Sequence, residues 1–407
     1  MTRQLGPFDY IEVAFDEGGR LLRPPSPPAA TDLVVLVHGW NNTRLAAQAT
    51  YTEIAQSLAH MLAHGDGHLV TGRRIMLAGV FWPSNKWEWF ERLPGSIGLL
   101  DAPAGAELAL RLDTLHGTAT SEGTRVTLAK ARALVPQLDR SVQAQHEFAD
   151  LLRDVLGTTP DEDCPDDLFT IQAPELVSRL SARVLSADGA QRNLIGGFLE
   201  GAKRLVDFVA YYEMKARAGT IGERGLAAFL RNQVPAGVRV HLVGHSFGGR
   251  MISAACSAPG GLGGRPCSMT VLQGALSHYG YARAFEPGRD GPFRSAITSG
   301  VVTGPLLVTH TRNDTLVSLA YGVASQLANQ ISDGPFGPDS RFGGLGANGA
   351  QSTPEAVRGS LAAAHERYEF RPRSVHNLLA DAHIRDHSDI TGREVAHAIL
   401  SAIAATP

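Results

Sequence analysis

The chain predicts an α/β fold, a doubly wound and mostly parallel sheet interrupted by a long helical insertion. Short β-branched runs alternate with helix-period segments toward both ends of the chain, the pattern of strand–helix–strand units whose sheet is covered on both faces. From about residue 85 to 219 only helical periodicity is found. Gly244-His245-Ser246-Phe247-Gly248 stands between the apolar run 238–243 and a helical segment, Gly249 to Ala258. That strand–turn–helix setting is what a G-x-S-x-G nucleophile elbow requires. In a chain with 44 glycines the bare pattern is weak, and its flanking elements carry the inference.

The elements follow in order. Tyr10 to Leu22 alternates around Gly18-Gly19 and predicts a short hairpin, and the prolines from Pro24 to Pro28 form a stiff connector. The run 32–37 (Asp-Leu-Val-Val-Leu-Val) is a buried strand that ends at His38-Gly39-Trp40-Asn41-Asn42. Thr43 is the expected cap of an amphipathic helix from Arg44 to Ala63. Arg74 to Phe81 is a second strand, stopped by Trp82-Pro83-Ser84 and expected to pair in parallel. Helical periods then occupy Ala104 to Leu115, Val126 to Leu138, Gln145 to Leu156, Pro174 to Leu185 and Leu194 to Ala216, with an acidic loop at Thr159 to Asp167. A helical stretch from Ile221 to Asn232 leads back to the elbow strand. Strands follow at Met269 to Leu272 and Pro305 to His310. Ser332 to Gln351 reads as a glycine-rich loop without a packing pattern, and Thr391 to Ala405 as the final helix.

Composition narrows the function. With 407 residues, 43% apolar and 19% charged, the chain can bury a large core as one domain plus an insertion, or as two domains. A formal charge of −3 leaves no overall footprint for nucleic acid or an anionic membrane, so a small or neutral substrate fits better. The three cysteines, Cys164, Cys256 and Cys267, form neither a disulfide framework nor a metal-binding spacing, which points to a reducing compartment. Met1 to Phe15 lacks the pattern of a signal peptide, and no run reaches the apolar length of a membrane span. The expected location is cytoplasmic.

A serine hydroxyl is a poor nucleophile at neutral pH, so Ser246 needs a base and a third group that fixes the base's tautomer. The order along the chain should be Ser, acid, His. Asp314 follows the strand 305–310 and would stand at the carboxyl edge of the sheet, where such sheets collect functional groups; a turn made with Asn313 is its bland alternative. His387 precedes the final helix in a loop and is the preferred base; His383 and His376 are the alternatives. His365 and His397 fall in helical text, where a satisfied surface imidazole is expected. The negative charge of a tetrahedral intermediate needs backbone donors already in place. The N–H groups of Phe247 and Trp40 occupy the two expected positions, with Gly39 permitting close approach and Asn41 and Asn42 as braces of that loop.

Together, Val37-His38-Gly39-Trp40-Asn41-Asn42, Phe81-Trp82-Pro83-Ser84 and Gly244-His245-Ser246-Phe247-Gly248-Gly249 resemble the α/β-hydrolase superfamily, most of all a poorly characterised bacterial serine-hydrolase branch with an H-G-[YW]-N-N loop. The resemblance covers roughly 31–84 and 221–405; the insert matches no motif, and it follows the second core strand where many relatives carry a lid after a later one. The resemblance implies an eight-strand sheet, esterase-like chemistry and no cofactor. The expected division is a hydrolase core at 1–84 and 220–407 with a helical cap at 85–219. The expected function is cleavage of a carboxylic ester or related acyl bond through an acyl-enzyme, with a small-molecule acyl substrate, no nucleic acid and no metal. A lipase or phospholipase, or a catalytically silent binding protein on the same scaffold, is the alternative.

Rival readings are weaker. His383 and His387 would share a helix face at i, i+4 among carboxylates, but no glutamate stands beside the first histidine in the H-E-x-x-H manner. Phe81, Trp82, Trp87, Trp89 and Phe90 read as a packing seam first, a pocket wall next and a membrane contact last. Gly197 and Gly201 suggest close helix packing, and the glycines at 260–264 lack the lysine and helix of a phosphate loop.

Overall fold

The computed structural model describes residues 3–84, 104–157, 171–181, 198–317 and 341–407. They divide into two compact units, one drawn from 1–84, 216–318 and 343–407, the other from 85–215 with Arg341 and Phe342.

The first unit is built on a nine-stranded sheet. Its strands are β1 (Arg3–Leu5), β2 (Phe8–Ala14), β3 (Asp32–Val37), β4 (Ile75–Phe81), β5 (Arg239–His245), β6 (Cys267–Leu272), β7 (Leu306–His310), β8 (Ala356–Ser360) and β9 (Val375–Leu379). The order across the sheet is β1-β2-β4-β3-β5-β6-β7-β9-β8. β1 pairs antiparallel with β2, and every other pairing is parallel. The chain leaves β3 in one direction, toward β4, and resumes at β5 on the opposite side. β3 and β5 therefore flank the point where strand order reverses, the place at the carboxyl ends of the strands where such sheets form their crevices.

Alternation along the strands divides the core between two faces. Helix α1 (Arg44–His64) buries Ala47, Tyr51, Ile54, Ala55, Leu58 and Met61, a stripe of helical period, and Thr43 caps it by accepting from the Ala46 amide. That stripe joins Val34, Leu36, Leu77, Val243 and Leu307 of the sheet with Val395, Ile399 and Ile403 of the last helix, Arg393–Ala404. The helix after β5, Phe247–Ser257, lies outside that cluster and is buried along nearly its whole length. A widened helical turn at Ile221–Leu226 packs against it, and Gly222 permits this, because a Cβ there would overlap the Met251 carbonyl. The described helices of the second unit are Ala104–Thr118, Glu122–Leu134, Val142–Leu156, Ala173–Ser181 and most of Phe198–Thr220. Within that unit Lys203 pairs with Glu107 at 2.6 Å, and Arg111 pairs with Asp207.

Several sequence expectations are corrected. A hairpin between β1 and β2, turning at Gly6-Pro7, was not expected; the turn at Gly18-Gly19 is present, closed by the antiparallel bridge Phe15–Leu21 and by bonds from the Asp16 amide to the Arg20 carbonyl and from the Leu22 amide to the Ala14 carbonyl. The sheet has nine strands, because β1 adds an antiparallel edge. β8 and β9 were not anticipated. The described part of the glycine-rich stretch packs: Leu345 is buried within a helical turn, Leu345–Asn348. His365 is no helical residue but an irregular one at φ 75°. His397 is buried, its ring spanning Asp66 Oδ2 at 2.7 Å and the Glu366 carbonyl at 2.6 Å. The acidic loop at 159–167 and Trp87, Trp89, Phe90 and Gly197 lie outside the described residues.

The amino edge of the sheet is closed by charge. Asp32, fully buried, accepts from Arg73 at 2.8 Å, from Thr31 at 2.6 Å and from His241 at 3.1 Å; the other nitrogen of His241 meets Ser268 at 2.8 Å. Burial pushes the Asp32 carboxyl up, but the hydrogen bonds from His241, Thr31 and Arg73 outweigh it and hold the carboxyl well below its ordinary range. Asp32→Asn keeps the volume and strands the mostly buried Arg73 guanidinium. We expect the unfolding free energy in urea to drop by about 3 kcal/mol, and a drop below about 1 kcal/mol would refute a net role for this pair.

Candidate active site

Ser246 connects β5 directly to the helix Phe247–Ser257, with φ 55° and ψ −122°. Backbone of this kind is strained for any residue with a side chain and persists only where its surroundings over-determine it. They do so here. The Ser246 amide donates to the Leu272 carbonyl at 3.0 Å, and its own carbonyl accepts from Gly249 at 2.9 Å and Ala275 at 3.2 Å. A Cβ at Gly244 would overlap the Gly248 carbonyl, and one at Gly248 would overlap the Val37 carbonyl of β3. The two strands that flank the reversal point can approach the turn only because these positions carry no side chain.

The loop after β3 passes against the serine. A Cβ on Gly39 would stand 2.7 Å from Ser246 Cβ. The Gly39 carbonyl accepts from His38 Nδ1 at 2.9 Å and from Asn42 Nδ2 at 3.3 Å, so a trans peptide turns the Trp40 N–H to the opposite side. Asn42 also donates to the Trp40 carbonyl at 3.0 Å, whereas Asn41 takes the left-handed conformation at φ 61°. The segment after β4 clamps the same loop. Trp82 Nε1 donates to the His38 carbonyl at 3.0 Å and its ring stacks on the His38 ring; the Ser84 carbonyl accepts from Asn41, and Ser84 Oγ donates to Asn42 O at 2.9 Å. Phe247 opens its helix, where the first amides point back out of the helix end, and its ring stacks on Trp40 at 5.9 Å.

Phe81 and Trp82 line, with Ala14, Phe15, His38 and Arg44, a cavity of about 180 Å³ beside this loop. It is smaller than the roughly 300 Å³ at which pockets for drug-sized ligands begin.

Asp314, fully buried, lies four residues past the end of β7, and its Oδ2 accepts from His387 Nδ1 at 2.8 Å. Because a carboxylate accepts, the proton of a neutral His387 sits on Nδ1 and Nε2 keeps a lone pair, the tautomer a general base needs. Among the described residues no hydrogen bond joins Ser246 Oγ to His387. The rest of the frame is dense. Asn313 donates to the Asp381 and Ile384 carbonyls at 3.1 and 2.8 Å, and Asp381 accepts from Thr311 at 2.8 Å and from the Arg312 amide at 3.0 Å, so the loops carrying Asp314 and His387 are cross-braced. The competing histidines are occupied or distant. His376 sits near the amino end of β9 and accepts from the Arg371 amide at 3.0 Å. His383 lies in a turn and shares no helix face with His387.

Sequence reasoning missed Gln273 and His245, besides the brace at Asp381. Gln273, buried at φ 45° just past β6, donates to Asp314 Oδ2 at 3.2 Å and to the Gly346 carbonyl at 3.1 Å, and accepts from Thr309 at 2.9 Å. A lone glutamine after an apolar strand carries no motif; its place at the carboxyl end of a strand beside the elbow was the available signal. His245 Nε2 donates to the His387 carbonyl at 2.8 Å. It sat inside the quoted motif without an assigned role.

Two of these imidazoles are neutral at physiological pH. Burial pushes His38 down to about 4, against the raising effect of the Gly39 carbonyl. Burial, and then the charge of His387, push His245 down to about 3. The chain matches no protein-family model, no curated protein and no solved structure.

A histidine that binds its proton more weakly folded than unfolded costs stability as pH falls from its ordinary value, 6.5, and the loss is complete below the folded value of about 4. At pH 5 the His38 share should be about 2 kcal/mol. Urea unfolding of the wild type and of His38→Asn at pH 7 and pH 5 measures it as the difference between the two pH-induced changes; equal changes in both proteins would refute it.

Proposed function

We propose that this protein is a serine hydrolase of α/β-hydrolase type that cleaves carboxylic esters or related acyl bonds through an acyl-enzyme. The observation that carries the reading is a strained serine at the carboxyl edge of a parallel sheet, in one hydrogen-bonded frame with a His387 imidazole held by a buried aspartate. Ser246 attacks the carbonyl carbon. His387 Nε2 takes the hydroxyl proton and returns it to the leaving group, after which a water deprotonated by the same nitrogen releases the acid. Asp314 holds the ring in its tautomer and offsets the charge of the imidazolium. The Trp40 and Phe247 N–H groups receive the oxyanion. The bond from Ser246 to His387 closes with substrate, as catalytic hydrogen bonds often tighten only in the Michaelis complex. The sheet edge, the strand reversal and the tautomer support this assignment.

Fluorophosphonate labelling followed by peptide mapping tests the nucleophile without a guess about substrate. Labelling should fall on Ser246 and vanish in Ser246→Ala. Turnover of a short p-nitrophenyl ester should drop roughly 10³-fold or more in Ser246→Ala and in His387→Ala, with the double variant little worse, because the residues act as one unit. Asp314→Asn should lose roughly 10³- to 10⁴-fold through the wrong tautomer. Wild-type turnover by Ser246→Ala would falsify the reading.

A further inference from the structure

The residue before the nucleophile reaches the residue that is to take its proton. His245 is the last residue of β5, and its Nε2 donates to the backbone carbonyl of His387 at 2.8 Å across 142 positions of sequence. The two rings lie 4.8 Å apart at 45°. A carbonyl oxygen can only accept, so Nε2 carries the hydrogen in this contact. The ring stays neutral far below physiological pH, so it adds no positive charge beside His387.

The other ties on the base loop run elsewhere. Asn313 and Asp381 bind the loop to the segment after β7, and Asp314 holds the His387 ring. Ile384 and Ile390, both buried, seat its two ends in the core. These contacts set the base relative to the acid. The His245 bond sets the backbone of His387 relative to β5, the strand that leads into Ser246.

We propose that His245 is a positioning residue: its Nε2–H tether to the His387 carbonyl holds the base loop in register with the nucleophile strand, so that Ser246 and His387 keep the spacing proton transfer requires. This rests on the serine hydrolase reading for its catalytic consequence. The mechanical part, loop order through one hydrogen bond, does not.

The test uses the full chain with two substitutions. His245→Phe keeps a flat ring and removes the donor, and His245→Gln returns an amide N–H to comparable reach. In hydrogen–deuterium exchange, a peptide spanning 383–390 should exchange faster in His245→Phe and at the wild-type rate in His245→Gln. In the same proteins the fluorophosphonate labelling rate of Ser246 should fall roughly 10- to 100-fold in His245→Phe, the scale of a misplacement of about 1 Å, and largely recover in His245→Gln. Ester turnover should lose kcat with KM little changed, since no substrate contact is removed. Matching thermal midpoints keep misfolding out of the comparison. Unchanged loop exchange or unchanged labelling in His245→Phe overturns the proposal, as does a His245→Gln protein no better than His245→Phe. A wild type that resists the probe while its loop still responds to His245→Phe overturns the hydrolase reading and, with it, the catalytic role, and leaves the tether standing.

Discussion

One backbone constraint organises the first unit: Ser246 must turn from strand to helix at φ 55° within reach of β3. That turn exists only because Gly39, Gly244 and Gly248 leave room for the neighbouring backbone and the serine side chain. Strain of this kind is of order 1–3 kcal/mol and survives only when the surroundings fix it. Here the fixing comes from the ladder itself. β5 lies between β3 and β6, and the segment past β6 returns a carbonyl and an amide to Ser246. The reactive position is thus set by backbone hydrogen bonds of the sheet and little by the adaptability of side chains.

The same economy governs the groups around it. His38 orients the loop after β3 through the Gly39 carbonyl, and His245 holds the His387 carbonyl, both as neutral donors. Gln273 orients Asp314 with an uncharged amide, and Gln273 in turn is held by Thr309. Under the proposed mechanism, a second charged neighbour would compete with Asp314 for the imidazolium formed on His387. Neutral braces fix geometry without altering that balance. The opposite edge of the sheet shows the contrast. Asp32, Arg73, His241 and Ser268 make a serine–histidine–aspartate chain of their own, but there a guanidinium neutralises the acid and the serine lies within β6 instead of at a strand-to-helix turn. A triad of residue types is not a site until the backbone supplies the turn.

Legibility in the sequence follows from the same physics. β3, β4, β5, β6 and β7 are fully buried or nearly so, and their largely apolar text is readable. β8 is exposed along most of its length at the sheet edge, and β1 has three residues, so neither leaves a hydrophobic pattern. β9 is apolar but carries His376 and Asn377, which blur its run. The elbow and the pairing of Asp314 with His387 could be anticipated because chain order and position after strands constrain them strongly. Gln273, His245 and Asp381 could not, because each acts through a bond to a residue brought near only by the crossing of parallel strands. His397 misled for a related reason: its helix was legible, but the buried Asp66 that holds its ring lies 331 positions away.

The arrangement also explains why an insertion can be accommodated between β4 and the return to β5. Both ends of the break are stiff. Trp82 and Ser84 are locked to the His38-to-Asn42 loop, and on the return side Gly222 brings a helical turn onto the nucleophile helix. The same anchors touch the loop after β3 and the helix that begins at Phe247. Trp82 and Gly222 are both packed against backbone, so the geometry around Ser246 is built from the sheet of the first unit.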